Sequence, residues 1–95
     1  MLEDAWKGLV KETVRRYLPE DYKVFIFGSR TDGTNHDWSD VDVGIMGPEK
    51  ISFQTLARIK GDFTDSRLPY RVDVVDFAAV TDDFKNAALK SAEYL

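Results

Sequence analysis

Residues 39–46 read Ser-Asp-Val-Asp-Val-Gly-Ile-Met. Branched apolar residues alternate here with acidic and small ones, which is the pattern of a β-strand with one buried face. Asp40 and Asp42 therefore project from the same side of this strand, about 6–7 Å apart along the backbone. Two carboxylates this close repel each other unless a positive group lies between them, and a divalent cation with oxygen ligands is the usual solution.

Another strand is predicted just before this one. Residues 23–27 read Lys-Val-Phe-Ile-Phe, an aromatic and branched run typical of a buried strand, and the run ends at Gly28. Glycine permits backbone torsions that other residues avoid, and successive N–H groups in such a turn bind anions. Ser29 adds a hydroxyl, and Arg30 adds a cation suited to phosphate oxygens. A Gly-Ser pair after a strand is common, so alone it indicates little.

A third strand is predicted at residues 70–77, where Asp73 interrupts an apolar run. An unpaired carboxylate is costly to bury, so Asp73 needs a partner, and Arg71 or Lys23 would serve. If this strand instead lies beside the second, Asp73 joins the acid pair there. Three carboxylates could then hold two magnesium ions about 4 Å apart for phosphoryl or nucleotidyl displacement. Asp76 faces the other side of an ideal strand, which favours a strand-end role.

Helices are predicted at residues 2–18, at residues 52–65 with Ser52 as N-cap, and from Thr81 or Asp82 to the end of the chain. The residues predicted to face inward on the second and third helices are Phe53, Leu56, Ala57, Phe63, Phe84, Ala87, Ala88, Ala92 and Leu95. The order helix, strand, strand, helix, strand, helix indicates an α/β (α+β) fold. We expect one domain over residues 1–95, with a small three-stranded mixed sheet flanked by helices.

Composition narrows the class of protein. The 95 residues are 43% hydrophobic and 32% charged, as in a soluble globular domain. There are no cysteines, which excludes disulfides and thiolate metal sites and favours a cytoplasmic location. The longest apolar runs are far shorter than the roughly 20 residues of a membrane helix. The net charge of −4 and the scattered basic residues argue against sustained nucleic-acid binding but are compatible with a small phosphorylated ligand.

Together these segments resemble a known superfamily. A strand ending in Gly28-Ser29, ten further residues, Asp40-x-Asp42 on a second strand and Asp73 isolated on a third follow the motif order of the polymerase-β-like nucleotidyltransferases. Within that superfamily the chain is most similar to the minimal nucleotidyltransferases (MNT). The resemblance covers nearly the whole chain and implies a polymerase-β-like nucleotidyltransferase core.

The resemblance also implies an activity, namely magnesium-dependent transfer of a nucleoside monophosphate, AMP from ATP, to an acceptor hydroxyl. The residues that match the family's metal ligands and catalytic acids are Asp40, Asp42 and Asp73. Of these, Asp73 matches the acid that binds the catalytic metal and helps to deprotonate the acceptor. The residues that match the triphosphate-binding motif are Gly28 and Ser29, followed by Arg30. The expected cofactor is Mg²⁺, as two ions, with ATP as substrate.

The resemblance finally implies a partner, because minimal members of the family lack a second domain for the acceptor. They often pair with a helical HEPN-family protein in toxin–antitoxin systems, where the nucleotidyltransferase is the antitoxin and can adenylylate a tyrosine of its partner. We therefore expect a HEPN-type partner, a homodimer, or both. Two alternatives stay open. One is a non-catalytic antitoxin that acts by contact, and the other is a small-molecule adenylyltransferase, for which the short chain offers no evident acceptor pocket.

Overall fold

The computed structural model describes residues 4–27, 41–68 and 70–95. Across these ranges the chain forms three helices and four strands. In chain order they are α1 (Asp4–Arg15), β1 (Lys23–Phe27), β2 (Val41–Met46), α2 (Phe53–Thr64), β3 (Val72–Asp76), α3 (Asp82–Leu89) and β4 (Glu93–Tyr94). The predicted α/β (α+β) class is confirmed. No helix within the described ranges has the length and apolar character to cross a bilayer.

The four strands form one mixed sheet in the order β3-β2-β1-β4. Strand β1 runs antiparallel to both β2 and β4, whereas β2 and β3 are parallel and are joined through α2. Consequently the first residues of β2 and β3 lie at the same end of the sheet as the last residues of β1. Asp42 of β2 and Asp73 of β3 lie at this end of the sheet.

The fourth strand corrects the predicted three-stranded sheet. The last helix was expected to continue through Ala92 and Leu95, but α3 ends at Leu89. Glu93 and Tyr94 instead pair with β1, and the Leu95 N–H donates to the Val24 carbonyl at 2.9 Å. Without this pairing, the outer edge of β1 would expose unpaired backbone groups, so tertiary pairing outweighs the helical preference of the alanine-rich segment.

The helix starts were predicted more accurately than the helix ends. The side chains of Ser52 and Thr81 accept hydrogen bonds from the N–H groups of Thr55 and Phe84, which confirms both as N-caps. The first helix was predicted to extend to residue 18, but α1 ends at Arg15. The chain then turns, and the Leu18 N–H still donates to the Val14 carbonyl at 3.0 Å.

One face of the sheet, which we call the aliphatic face, is covered by α1 and α2. The buried strand residues on this face are Val24, Ile26, Val41, Val43, Ile45 and Val74, and the helical and loop residues packed on them are Val10, Val14, Leu18, Ile51, Ile59 and Phe63. On α2 the predicted inward residues Phe53 and Ala57 are exposed, while Ile59 is fully buried. Phe53 begins the helix, where it lines an open cleft with Ile51 and Leu56 instead of the core.

The opposite face, which we call the aromatic face, is covered by α3. Its buried residues are Phe25, Phe27, Phe77 and Ala88. Gly44 of β2 lies beneath these rings, because a Cβ atom there would come within 2.3 Å of the Phe25 ring and 2.7 Å of the Phe77 ring. Those two rings pack edge to face with centroids 4.8 Å apart. The missing side chain of Gly44 therefore lets an aromatic layer cross the middle of the sheet.

Candidate functional site

The acids of β2 and β3 meet on the aromatic face. Asp42 and Asp73 are register partners in the parallel pair, and such partners lie about 4.8 Å apart with side chains on the same face. Phe27 is the register partner of Asp42 on its other side. These three residues form a row across the sheet, at the edge where β1 ends and β2 and β3 begin. The conditional prediction that the third strand lies beside the second is therefore correct.

The two acids differ in their exposure to solvent. Asp42 is half-buried on a central strand, whereas Asp73 is exposed on β3, which is an edge strand of the sheet. The sequence suggested a buried carboxylate at Asp73 that required a cation such as Arg71 or Lys23. That expectation was wrong because water reaches the edge strand, and the apolar neighbours of Asp73 point to the aliphatic face or lie partly exposed. Asp73 is thus available to a ligand or a partner molecule that approaches the edge of the sheet.

Several of the predicted site residues lie outside the described residues. They are Gly28, Ser29, Arg30 and Asp40. Among the described residues, no group of three or more His, Cys, Asp or Glu side chains is placed to hold a metal ion. The Asp42–Asp73 pair is one carboxylate short of such a group, and the predicted third member is Asp40. The phosphate-binding turn and the complete acid group remain predictions.

Asp76, the other acid of β3, belongs to the opposite face. It is 7% exposed, and its Oδ2 accepts a hydrogen bond from the Ile51 N–H at 2.8 Å. Its Oδ1 accepts from the Ala78 N–H at 3.0 Å. Both carboxylate oxygens therefore satisfy backbone donors at the end of the strand. This confirms the predicted strand-end role and separates Asp76 from the acid pair.

A cleft of about 340 Å³ adjoins Asp42 on the aromatic face. Its lining residues are Phe27, Asp42, Phe84, Ala87, Ala88 and Ser91. The sequence pattern predicted Phe84 and Ala87 as inward-facing, but Phe84 is 45% exposed and Ala87 is exposed. The sequence contained no signal for this cleft, because it depends on how α3 lies across β1 and β2.

A larger cavity lies at the opposite end of strands β1 and β2. It measures about 570 Å³ and is lined by residues that include Lys11, Arg15, Lys23 and Tyr94. Lys23 begins β1 and Met46, also in the lining, ends β2, so this cavity is at the far end of both strands from Asp42. Size therefore does not identify the functional site here, and the clustered acids are the better guide.

Comparison with known proteins assigns the family. The family model described as polymerase beta, nucleotidyltransferase matches residues 10–95. The chain belongs to the polymerase-β nucleotidyltransferase family. A curated member, described as the probable protein adenylyltransferase MntA of Haemophilus influenzae, is 37% identical over 81 residues. That alignment spans 85% of this chain and 71% of the relative.

Chains from solved structures of toxin–antitoxin complexes have the same fold. A toxin–antitoxin complex with AMP-PNP matches with a TM-score of 0.78 and 18% identity, covering 93% of this chain and 70% of the other. The complex of a tri-AMPylated Shewanella oneidensis HEPN toxin with its MNT antitoxin matches with a TM-score of 0.76 and 13% identity, covering 98% and 71%. The expected polymerase-β-like nucleotidyltransferase core is therefore confirmed, and the chain is a nucleotidyltransferase that uses a nucleotide as substrate.

Proposed function

We propose that this nucleotidyltransferase transfers AMP from ATP, with Mg²⁺, to a hydroxyl group on a HEPN-type partner protein and thereby acts as the antitoxin of a toxin–antitoxin pair in the cytoplasm. The observation that carries the proposal is the register pairing of Asp42 with Asp73 on one face of the sheet. The relatives support the choice of acceptor. The MntA relative is described as a protein adenylyltransferase, and one structural neighbour is an MNT antitoxin in complex with an AMPylated HEPN toxin.

The donor atoms available at the pair fit magnesium. Asp42 and Asp73 supply only carboxylate oxygens, which are the hard ligands that Mg²⁺ prefers. Asp73 is exposed, so water and substrate oxygens can complete the coordination. Asp40 is proposed as the third ligand. When bound, two ions would lower the pKa of the attacking hydroxyl and neutralise charge on the leaving pyrophosphate.

The residues along and next to the row from Phe27 to Asp73 would have different roles in the reaction. Asp73, at the exposed end, accepts the proton of the acceptor hydroxyl as its oxygen attacks the α-phosphorus. A new oxygen–phosphorus bond forms, and the bond between the α-phosphorus and pyrophosphate breaks. Gly28 and Ser29 follow directly after Phe27 in the chain, and with Arg30 they would hold the triphosphate so that the pyrophosphate leaves towards β1.

The proposal is tested by transfer of label from ATP. The protein, Mg²⁺ and ATP labelled at the α-phosphate are incubated with the protein encoded by the neighbouring gene, and this partner is expected to become labelled. Asp42→Ala and Asp73→Ala are expected to abolish labelling, as is chelation of the metal, while thermal unfolding shows that the variants remain folded. Asp21→Ala, which removes an exposed acid in the turn before β1, is the matched control and should label normally.

Retained labelling in both acid variants would reject the proposed site. Unchanged rescue of cells from the partner's toxicity by the double variant Asp42→Ala/Asp73→Ala would show that the antitoxin acts by contact alone. Labelling of a small molecule in place of the protein partner would replace the proposed acceptor.

A further inference from the structure

The cleft beside Asp42 lies on one particular side of the acid pair. Across the sheet the row runs from Phe27 through Asp42 to Asp73, and the cleft is lined by the first two and not by the third. It therefore opens towards β1 and α3, away from the exposed edge strand β3. A group that occupies the cleft is next to Asp42, a proposed metal ligand, and it lies on the side of Asp42 opposite to Asp73.

The composition of the lining suits a flat apolar ring. Phe27 and Phe84 provide aromatic carbon, and Ala87 and Ala88 provide methyl groups. Among the described lining residues, Asp42 alone is charged. The Phe84 ring is 45% exposed, although it is held from behind by Phe27 and Phe77, with centroid separations of 6.0 Å and 5.8 Å. A ring that is fixed at its back and open at its front can stack on a ligand with little loss of side-chain freedom.

The proposed function already assigns the acceptor and the pyrophosphate to residues outside this cleft. An acceptor hydroxyl that gives its proton to Asp73 approaches from the side of β3. The leaving pyrophosphate departs opposite to the attacking oxygen, and the proposed function assigns it to Gly28 and Ser29, which follow β1 in the chain. The nucleoside is the remaining substituent of the α-phosphate, and the cleft under α3 is the apolar surface that it can reach from Asp42.

We propose that the cleft binds the nucleobase of the nucleotide donor, with Phe84 as the stacking platform. The proposal rests on the proposed function, because it takes the α-phosphate to lie at Asp42. Phe84 would then be a binding and positioning residue for ATP, whereas Asp42 and Asp73 perform the chemistry. The triphosphate contributes to affinity independently, through the turn after β1.

The test compares a ligand that has a base with one that lacks it. Binding of ATP and of inorganic tripolyphosphate, each with Mg²⁺, is measured by calorimetry for the full chain. Phe84→Ala is expected to weaken ATP binding by about tenfold, the effect of losing one stacked base, and to leave tripolyphosphate binding unchanged. Phe84→Trp is expected to restore ATP affinity, whereas Phe84→Leu, which keeps bulk without a ring, is not.

The chain offers a matched control in Phe53, which is 86% exposed at the start of α2 and lines a different cleft. Phe53→Ala should leave both affinities unchanged. Equal affinity for ATP in the wild type and in Phe84→Ala would overturn the proposal, even if the variant is less thermally stable. A raised KM for the protein partner with unchanged ATP affinity would instead assign the cleft to the acceptor. If the wild type binds neither ligand, the proposed function fails, and the nucleobase site fails with it.

Discussion

The two faces of the sheet differ in the side chains that they bury. The aliphatic face is closed by α1 and α2 over branched side chains, and its buried strand acid, Asp76, accepts a hydrogen bond from a backbone N–H on each carboxylate oxygen. Within residues 4–27, 41–68 and 70–95, α3 is the helix that covers the aromatic face, and next to its buried rings this face carries the adjacent acids Asp42 and Asp73. Asp73 and Asp76 are three residues apart on the same strand, so alternation alone sends one carboxylate to each face.

The acid on the aliphatic face therefore contributes to stability, whereas the acids on the aromatic face are proposed to carry out the chemistry. On the aliphatic face the buried carboxylate of Asp76 is tolerated because both of its oxygens accept hydrogen bonds from backbone N–H groups at the end of β3. On the aromatic face Asp42 is half-buried and Asp73 is exposed, so a ligand can reach the pair from solvent. Substitution of the strand acid Asp76 should therefore change stability, and substitution of Asp42 or Asp73 should change activity.

The largest expected effect comes from Asp73→Asn. Loss of a metal ligand and proton acceptor removes several kcal/mol of transition-state stabilisation, so we expect transfer of AMP to slow by about a thousandfold or more. The melting temperature should stay unchanged because Asp73 is exposed. Asp76→Asn is the paired control from the same strand. Its amide can accept only one of the two backbone N–H groups, so we expect a loss of about 1–3 kcal/mol of stability.

Transfer rates are measured with labelled ATP, and unfolding free energies with urea. The comparison between the faces fails if Asp73→Asn unfolds the protein, or if folded Asp76→Asn loses activity as completely as Asp73→Asn.

The next effect concerns the core of the aliphatic face. Ile59 is fully buried on α2, and Ile59→Ala is expected to lower the free energy of unfolding by about 2–5 kcal/mol through lost burial and a cavity. Phe53→Ala on the same helix removes a larger side chain that is mostly exposed, and it should change stability by less than about 0.5 kcal/mol. Urea unfolding of both variants checks the contrast, which a similar loss in the two would contradict.

Two glycine-to-alanine substitutions are expected to have smaller effects on the free energy of unfolding, one lowering it and the other raising it. Gly44→Ala places a methyl group against the Phe25 and Phe77 rings, so overpacking should cost about 1–3 kcal/mol. Gly61 lies inside α2, and an added Cβ would meet no atom within 4 Å beyond its chain neighbours and the adjacent helix backbone. Gly61→Ala should therefore stabilise the helix by up to about 1 kcal/mol. Thermal unfolding measures both changes, as a lower melting temperature for Gly44→Ala and a higher one for Gly61→Ala. A neutral Gly44→Ala would mean that the aromatic layer repacks freely.

The smallest effect is a pH dependence at the contact between α1 and α2. The Tyr17 hydroxyl donates to Asp62 at 2.7 Å, and this hydrogen bond is the main reason that the Tyr17 pKa is raised from its ordinary value of 10.0. Burial and the negative charge of Asp62 raise this pKa further. Because the pKa is higher in the folded state, the contribution to stability is complete below pH 10 and is lost as the pH rises through the raised value.

Tyr17→Phe should therefore be slightly less stable than the wild type at neutral pH, and the difference should disappear in strongly alkaline solution. Urea unfolding at a series of pH values measures this difference. A difference that stays constant through the alkaline range would show that the hydrogen bond has no role in stability.

The parts of the fold that could be predicted from sequence are those fixed by local pattern. The run at residues 23–27 and the alternation at residues 41–46 specify their strands, and Ser52 and Thr81 specify the starts of their helices. Strand β4 could not be predicted, because its two residues become a strand only through pairing with the distant β1. Alanine-rich sequence before it favours a helix, so the local signal gave the wrong continuation.

The candidate site shows the same division. The pairing of Asp42 with Asp73 followed from the order of elements once β2 and β3 were placed side by side. The exposure of Asp73 could not be predicted in the same way, because it depends on β3 being an edge strand. The cleft at Phe84 depends on the angle at which α3 crosses the sheet, which no periodicity encodes.

The register between β2 and β3 has a consequence for how this domain tolerates change. The distance between Asp42 and Asp73 is set by the sheet ladder and not by the length of the segment that joins the strands. A slip of one residue would turn Asp73 to the other face, whereas insertions in the connections around α2 leave the ladder intact. Homologues can therefore vary in length between the two strands and still keep both carboxylates in position.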